Sequence, residues 1–368
     1  MADTRIGGAE RAFYALALAV LIGFVAWVGR NVIIPVVVAG FLSFFIYTLK
    51  ETIRKGPLIG RFLPHWFCFV LAFAAIGLFF VFIVDIVRDN VETLIRRAPD
   101  YEARLAALTR DGIEVVRRLG ALPEDIISGV EELRSRALST IRPILAEVGS
   151  ALRSITANVI TIFLYTVFML LERGRIFRKI NILSGGARGR RAVNDTIGDI
   201  GAMVRGYITI KTVMNLAVAA ISYVILRSLG VEFAGFWTLL IFLLNYIPIV
   251  GSIAAVTATV LFILVQPGGG LNTAILALAL LVAAEQAMSS GLEPRLMGKS
   301  LNLSPLVILL SLSVWGTLWG FAGALLAVPI TVTLMIILSQ FEPTRPVAVL
   351  MSSSGKIADI RHPALGSS

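Results

Sequence analysis

The sequence is poor in the side chains that most chemistry needs. It has one cysteine, Cys68, and two histidines, His65 and His362. A single cysteine excludes an intrachain disulfide and any cysteine metal cluster. No H-E-x-x-H, G-x-S-x-G or phosphate-loop pattern occurs, so zinc proteases, serine hydrolases of that type and ATP-driven pumps have no footing here. No pair of intramembrane aspartates suggests a protease, so the chain reads as a non-enzyme with no cofactor and no metal. Charge is also scarce. Only 15% of the 368 residues are charged, against roughly a quarter in soluble domains.

What fills the chain instead is hydrocarbon. Hydrophobic residues make up 57%, and the mean hydropathy is +0.87. The apolar runs are long enough to cross a bilayer, for which about 20 residues are needed. The net charge of +10 sits in loops beside these runs, where Lys and Arg set topology, and therefore does not point to nucleic acid. The expected fold class is an all-α polytopic membrane protein of about eight hydrophobic segments, its main partner being the lipid bilayer.

Five segments read as plain spans: Ala12–Val28, Val32–Leu49, Trp66–Val87, Leu152–Leu171 and Tyr207–Leu229, the last with Lys211 near its start. A sixth covers Leu271–Gly291. Two further stretches, Phe233–Val265 and Pro305–Leu338, carry no charged residue and would each be about 50 Å long as a helix, against a hydrocarbon core of about 30 Å. Each therefore has to double back. The first has its break at Asn245-Tyr246-Ile247-Pro248-Ile249-Val250-Gly251, and the second at Gly316, Gly320 and Gly323, with Pro329 beyond. Half-lengths of about 25 Å favour re-entrant hairpins over full crossings.

Loop charges set the orientation. Lys50, Arg54, Lys55 and Arg61 follow the second segment, and Arg173, Arg175, Arg178, Lys179, Arg188, Arg190 and Arg191 follow the fourth, so both loops read as cytoplasmic. The Asp89–Ser150 region, which lacks lysine, then falls outside. Ile126, Val130, Leu133, Ala137 and Ile141 give it an amphipathic stripe, while Pro99, Pro123 and Pro143 read as helix starts or breaks. This region is either a structural cap or a gating and assembly element. Residues 181–206 read as an amphipathic surface helix. The resulting organisation is 1–87, three transmembrane helices; 88–150, an extracytoplasmic helical region; 151–206, the fourth helix and a basic cytoplasmic loop; 207–340, a transport core; 341–368, a flexible cytoplasmic tail. Both termini are expected in the cytoplasm of a bacterial-type cell, in its inner membrane.

Within the core, a helix plus a hairpin occurs twice, entering from opposite faces. That inverted repeat is the plan of secondary transporters, whose broken helices form the substrate site near the midplane. Unwound peptide groups must face protein, water or ligand there. The candidate pathway residues are Asn245, Pro248, Gly251, Gly316, Gly320 and Gly323. Pro248 is expected to free a carbonyl near Leu244, Asn245 to donate and accept, and Gly251 to permit the reversal. A plain turn at the first break and close helix packing by the glycines are the structural alternatives. Glu285, deep in the Leu271–Gly291 segment, is either a hydrogen-bonded structural carboxyl or a proton or cation carrier. Glu293, Pro294 and Arg295 read as a hinge or anchor at the base of the second hairpin.

The Asn245–Gly251 break, the Leu292-Glu293-Pro294-Arg295-Leu296-Met297-Gly298 run and the Pro305 to Pro329 glycine pattern together resemble the autoinducer-2 exporter family, also called PerM permease-like. The resemblance spans most of the chain and implies a multi-helix transporter with inverted repeats and a homo-oligomer, plausibly a pentamer. One branch is linked to export of a quorum-sensing signal, and other members are described as sodium or lithium/proton antiporters. Three functions follow: a secondary transporter of a small polar solute, autoinducer-2-like by resemblance; a cation/proton antiporter acting through Glu285; and a non-transporting membrane scaffold.

Overall fold

The structure is a computed structural model and describes residues 8–55, 64–118, 159–184, 186–292, 296 and 302–356. These are helical almost throughout. The helices are α1 Gly8–Val28, α2 Arg30–Lys55, α3 His65–Arg118, α4 over 159–183, α5 Ala187–Ser228, α6 Ala234–Leu244, α7 Val250–Val265, α8 Leu271–Gln286, α9 Pro305–Gln340 and α10 Arg345–Met351. Five are long and apolar enough to cross a membrane, and α1, α6 and α7 add shorter apolar lengths. The described residues are those of a polytopic membrane protein.

Several elements run further than the hydropathy pattern predicts. α3 continues as one helix of 54 residues through Pro99, which therefore neither starts nor breaks it. The stripe from Ile126 to Ile141, Pro123 and Pro143 lie outside the described residues. α5 begins at Ala187 rather than Tyr207, so the amphipathic 181–206 region is largely the first half of a single 42-residue helix, about 63 Å long. Part of the expected flexible tail is ordered: α10 packs on α9, and its last turn pairs with the strand-like 302–304 segment through Ser304 N–H to the Met351 carbonyl, 3.0 Å.

The chain divides into two compact units. One comprises Met1–Leu49, Ile160–Tyr207 and Lys299–Ser368; the other comprises Lys50–Val159 and Ile208–Gly298. α8 is grouped with α6 and α7, whereas α9 belongs to the first unit, which differs from the expected pairing of helix and hairpin.

In the second unit α6 packs on α7 and α7 on α8. Lipid tails are as apolar as leucine, so close packing rather than water exclusion holds such helices together. Small residues permit it: Ala255, Ala274 and Ala277 are fully or almost fully buried, with Trp237, Ile241, Phe262, Ile263 and Leu281 filling the space between. The Trp237 and Phe262 rings lie 5.0 Å apart. α6, at 11 residues, and α7, at 16, are about 17 and 24 Å long, and each is shorter than the hydrocarbon core.

The end of this pair away from the Asn245–Ile249 segment is fastened to α3. The Glu232 carboxylate accepts from the Tyr101 hydroxyl at 2.8 Å and from Arg97 at 3.3 Å, while the Glu232 N–H donates to buried Gln266 Oε1 at 2.8 Å. Tyr101 also packs edge-on against Phe262.

In the first unit, α9 is broken at Gly320 (φ 61°, ψ −138°). Trp315 Nε1 donates to Thr331 Oγ1 at 3.1 Å, although these residues would stand about 24 Å apart along a straight helix. Trp319, buried, donates from Nε1 to the Ala26 carbonyl of α1 at 3.0 Å.

Candidate functional site

The link between α6 and α7 is the five-residue segment Asn245–Ile249, and its geometry follows from its sequence. Pro248 cannot donate, so the α6 ladder stops there. The turn is closed by Val250 N–H to the Pro248 carbonyl at 2.7 Å around Ile249 at φ 65°, ψ −61°. This is a γ-turn of the rarer, strained hand, and Ile249 is a β-branched residue held at positive φ. The Leu244 carbonyl, expected to be freed by Pro248, instead accepts from Ile247 N–H at 2.8 Å. Gly251 must be glycine, because a Cβ there would overlap the Leu244 carbonyl oxygen.

Asn245 caps α6 and is 5% exposed. Its Nδ2 donates to Glu285 Oε1 at 2.6 Å, a charge-assisted length when the carboxyl is ionised. Its Oδ1 is buried and has no protein partner among the described residues. Glu285 sits at the last turn of α8, just before that helix widens into the π-helical turn Ala287–Leu292, a feature common at functional sites. Ser289 Oγ donates to the Glu285 carbonyl at 2.7 Å, which occupies an acceptor at that widened end.

α5 completes the site. Lys211 and Asn215 lie one turn apart on the face turned toward the break and are 8% and 2% exposed. Asn215 Nδ2 donates to the Phe242 carbonyl near the end of α6, 3.3 Å. One residue from Lys211, Thr212 shares a 2.7 Å hydrogen bond with the Tyr246 hydroxyl. Lys211, Asn215, Asn245, Pro248, Ser252, Glu285 and Ser289 line one cavity of about 60 Å³ together with apolar neighbours. Sequence reasoning singled out Asn245, Pro248, Gly251 and Glu285; Asn245, Pro248 and Glu285 line this cavity, and Gly251 abuts the Leu244 carbonyl behind it. It passed over Asn215 and gave Lys211 no role, although Tyr207, Lys211, Asn215 and Ser222, all buried, form a polar stripe on α5. That stripe was the available signal.

The glycines of the second break lie in the other unit. Gly320 supplies the positive φ, and Gly323 approaches the Trp315 carbonyl so closely that a Cβ would overlap it. Gly316 makes only ordinary contact, with Ala324. The two breaks share one construction: an apolar helix, a positive-φ residue (Ile249, Gly320), then a glycine two or three positions on that abuts a carbonyl before the break. Glu293, Pro294 and Arg295 lie outside the described residues. Among the described residues, no group of three or more His, Cys, Asp or Glu side chains is placed to hold a metal ion.

Comparison with known proteins agrees with the geometry. The sequence model of the AI-2E family of transporters matches residues 16–342. A Haemophilus influenzae protein named as a transport protein is 29% identical over 338 residues, covering 90% of this chain and 94% of the relative. The AI-2 transport protein TqsA of Escherichia coli is 28% identical over 332 residues, with 89% and 91% covered. YhhT of Escherichia coli is 31% identical over 201 residues, about half of either chain.

Proposed function

The chain belongs to the AI-2E family of transporters, and from that membership and the Asn245 site we propose that it is a secondary transporter moving a small polar solute across the bacterial inner membrane through movement of its hairpin tips. The broken stretches α6–α7 and α9 are, in this reading, re-entrant hairpins of an inverted repeat with cytoplasmic termini, and the working unit is a homo-oligomer, with a pentamer the first state to test. The solute is autoinducer-2-like, because a relative that this chain covers along nearly its whole length is named for AI-2 transport.

The observation that carries the reading is the part-buried Asn245–Glu285 hydrogen bond in a cavity inside otherwise apolar helices. Polar groups at that depth are costly and mark substrate or ion pathways. An acceptor without a partner among the described residues, Asn245 Oδ1, beside a carboxyl, an amide and an ammonium group offers both donors and acceptors to a hydroxylated solute. Efflux of autoinducer-2 from loaded proteoliposomes tests it. Asn245→Ala and Pro248→Ala are expected to abolish efflux while the protein still assembles. Efflux unchanged in both variants would refute the assignment of the site.

One observation favours a second reading, the sodium or lithium/proton antiporter. Sites for small molecules usually span 300–1,000 Å³, and this cavity, about 60 Å³, suits an ion or a few waters. Sodium-dependent proton flux lost in Glu285→Gln would support that reading over solute export. Absence of any flux would leave a membrane scaffold.

A further inference from the structure

A much larger cavity, about 700 Å³, lies within the first unit, between α2, α4 and the first half of α5. Its walls are mostly apolar, with Phe44, Met169, Phe177 and Ile197 among them. Two cations stand in it. The Arg173 guanidinium lies over the Tyr47 ring, 3.4 Å from its centroid, and 5.7 Å from that of Phe177; Arg205 lies 5.7 Å from the centroid of Phe44. A guanidinium stacked on a ring keeps its N–H donors in its own plane, ready for a phosphate or carboxylate. Among the described residues neither arginine takes part in an ion pair. Gly198 faces open space in the slot, where a Cβ would meet nothing within 4 Å. The cavity also sits at the basic end of its helices. Lys50, Arg54 and Lys55 follow the apolar part of α2; Arg175, Arg178 and Lys179 follow Arg173 on α4; Arg190 and Arg191 open α5. Glu51, which pairs with Lys50 and Arg54, and Glu172, Asp195 and Asp199, on the same helices, still leave a basic excess.

We propose that this cavity binds an anionic phospholipid from the leaflet on the basic side of the membrane, with its phosphate held by Arg173 and Arg205 and its acyl chains along the Phe44, Met169 and Ile197 wall. Basic pockets between transmembrane helices recognise such headgroups, and each well-placed cation contributes to the attraction. A zwitterionic lipid would bring its own cation against the two arginines. Free phosphate would satisfy the guanidinium groups and leave the apolar walls uncovered.

The test uses the purified full chain in a neutral detergent, with the unfolding temperature read against added phosphatidylglycerol, phosphatidylcholine or inorganic phosphate. Phosphatidylglycerol alone should raise it in a saturable way. In the Arg173→Gln/Arg205→Gln double variant, the apparent lipid dissociation constant should rise roughly 30-fold, from the loss of two cations. Gly198→Leu changes no charge and favours the helix, so it should fold, fill the slot and abolish the phosphatidylglycerol response. Three results would overturn the proposal: an equal response to inorganic phosphate, a response retained in both variants, or cross-linking of two copies through Ile197→Cys in lipid nanodiscs, which would assign the cavity to a second chain.

Discussion

The Asn245–Glu285 bond makes a quantitative prediction. At 2.6 Å, with Asn245 5% exposed, it is a short bond out of bulk water. Hydrogen bonds to charged groups contribute about 1.5–3 kcal/mol, and a partner stranded by truncation costs its own desolvation as well. Asn245→Ala removes this donor from the carboxyl, and Glu285→Ala removes this acceptor from the amide. Glu285→Ala also removes the carboxyl that shares a cavity with Lys211, so it should be the more damaging of the two. The double variant strands neither Asn245 nor Glu285. Its cost should therefore fall short of the sum of the single costs by about 1.5–3 kcal/mol, well beyond the additivity error of about 0.5 kcal/mol. Reversible unfolding of the four proteins in mixed micelles measures the cycle. A coupling energy within about 0.5 kcal/mol of zero would mean that the two side chains do not meet, and the site as described would fail with it.

The glycines should separate by backbone geometry. Gly251→Ala and Gly323→Ala, each forcing a Cβ into a carbonyl oxygen, should cost about 1–3 kcal/mol or more in unfolding, while Gly316→Ala, in ordinary contact, should be neutral or stabilise by up to about 1 kcal/mol. Ile249→Gly should relieve about 1–3 kcal/mol of turn strain, less about 0.4–1 kcal/mol for the freer unfolded chain; a raised unfolding temperature with slower solute flux is the expected pairing. At the Glu232 end, Tyr101→Phe should cost about 1–2 kcal/mol and Arg97→Gln, half exposed, under about 1 kcal/mol, with both read as faster amide exchange around Glu232.

Length and glycine made much of this fold legible. Two charge-free stretches too long for the bilayer had to be interrupted, and the structure interrupts them at the break containing Asn245 and Pro248 and at Gly320. The role of Lys211 was hidden by a boundary error. With the segment start placed at Tyr207, Lys211 stands only near its start, but α5 begins at Ala187 and Lys211 falls in mid-helix, where a buried cation needs compensation. The polar 187–206 segment lowered the local hydropathy without breaking the helix. Pro99 misled for a related reason. A proline inside a helix costs about 3 kcal/mol, but Arg97 and Tyr101, on either side of it, are both bound to Glu232, and those contacts offset part of that cost. The π-helical widening after Gln286 has no sequence signature to read.

The way the α6–α7 pair is fastened says which part of it moves. Its Glu232 end is held by Tyr101, Arg97 and Gln266 on Glu232, by the Tyr101–Phe262 and Trp237–Phe262 ring contacts, and by the packed alanines of α7 and α8. Among the described residues, the Asn245 end is held by Asn245 to Glu285, Thr212 to Tyr246 and a long bond from Asn215. Releasing the first two costs about 2–4.5 kcal/mol from typical net bond values, part of which the Ile249 strain returns. An opening free energy near 3 kcal/mol corresponds to a minor state of about 1%, which is sufficient for gating. Moving the whole pair would break both ends and lose the packed core. The expected motion is therefore a swing of the Asn245–Ser252 segment beside the cavity of about 60 Å³ while the Glu232 end stays fixed. Thr212→Val should raise the open population roughly two- to tenfold, and Ser252→Cys in that background should react faster with a small hydrophilic thiol reagent, while Pro267→Cys, exposed at the far end of α7, keeps its rate. Equal acceleration at both positions would mean that the pair moves as one body.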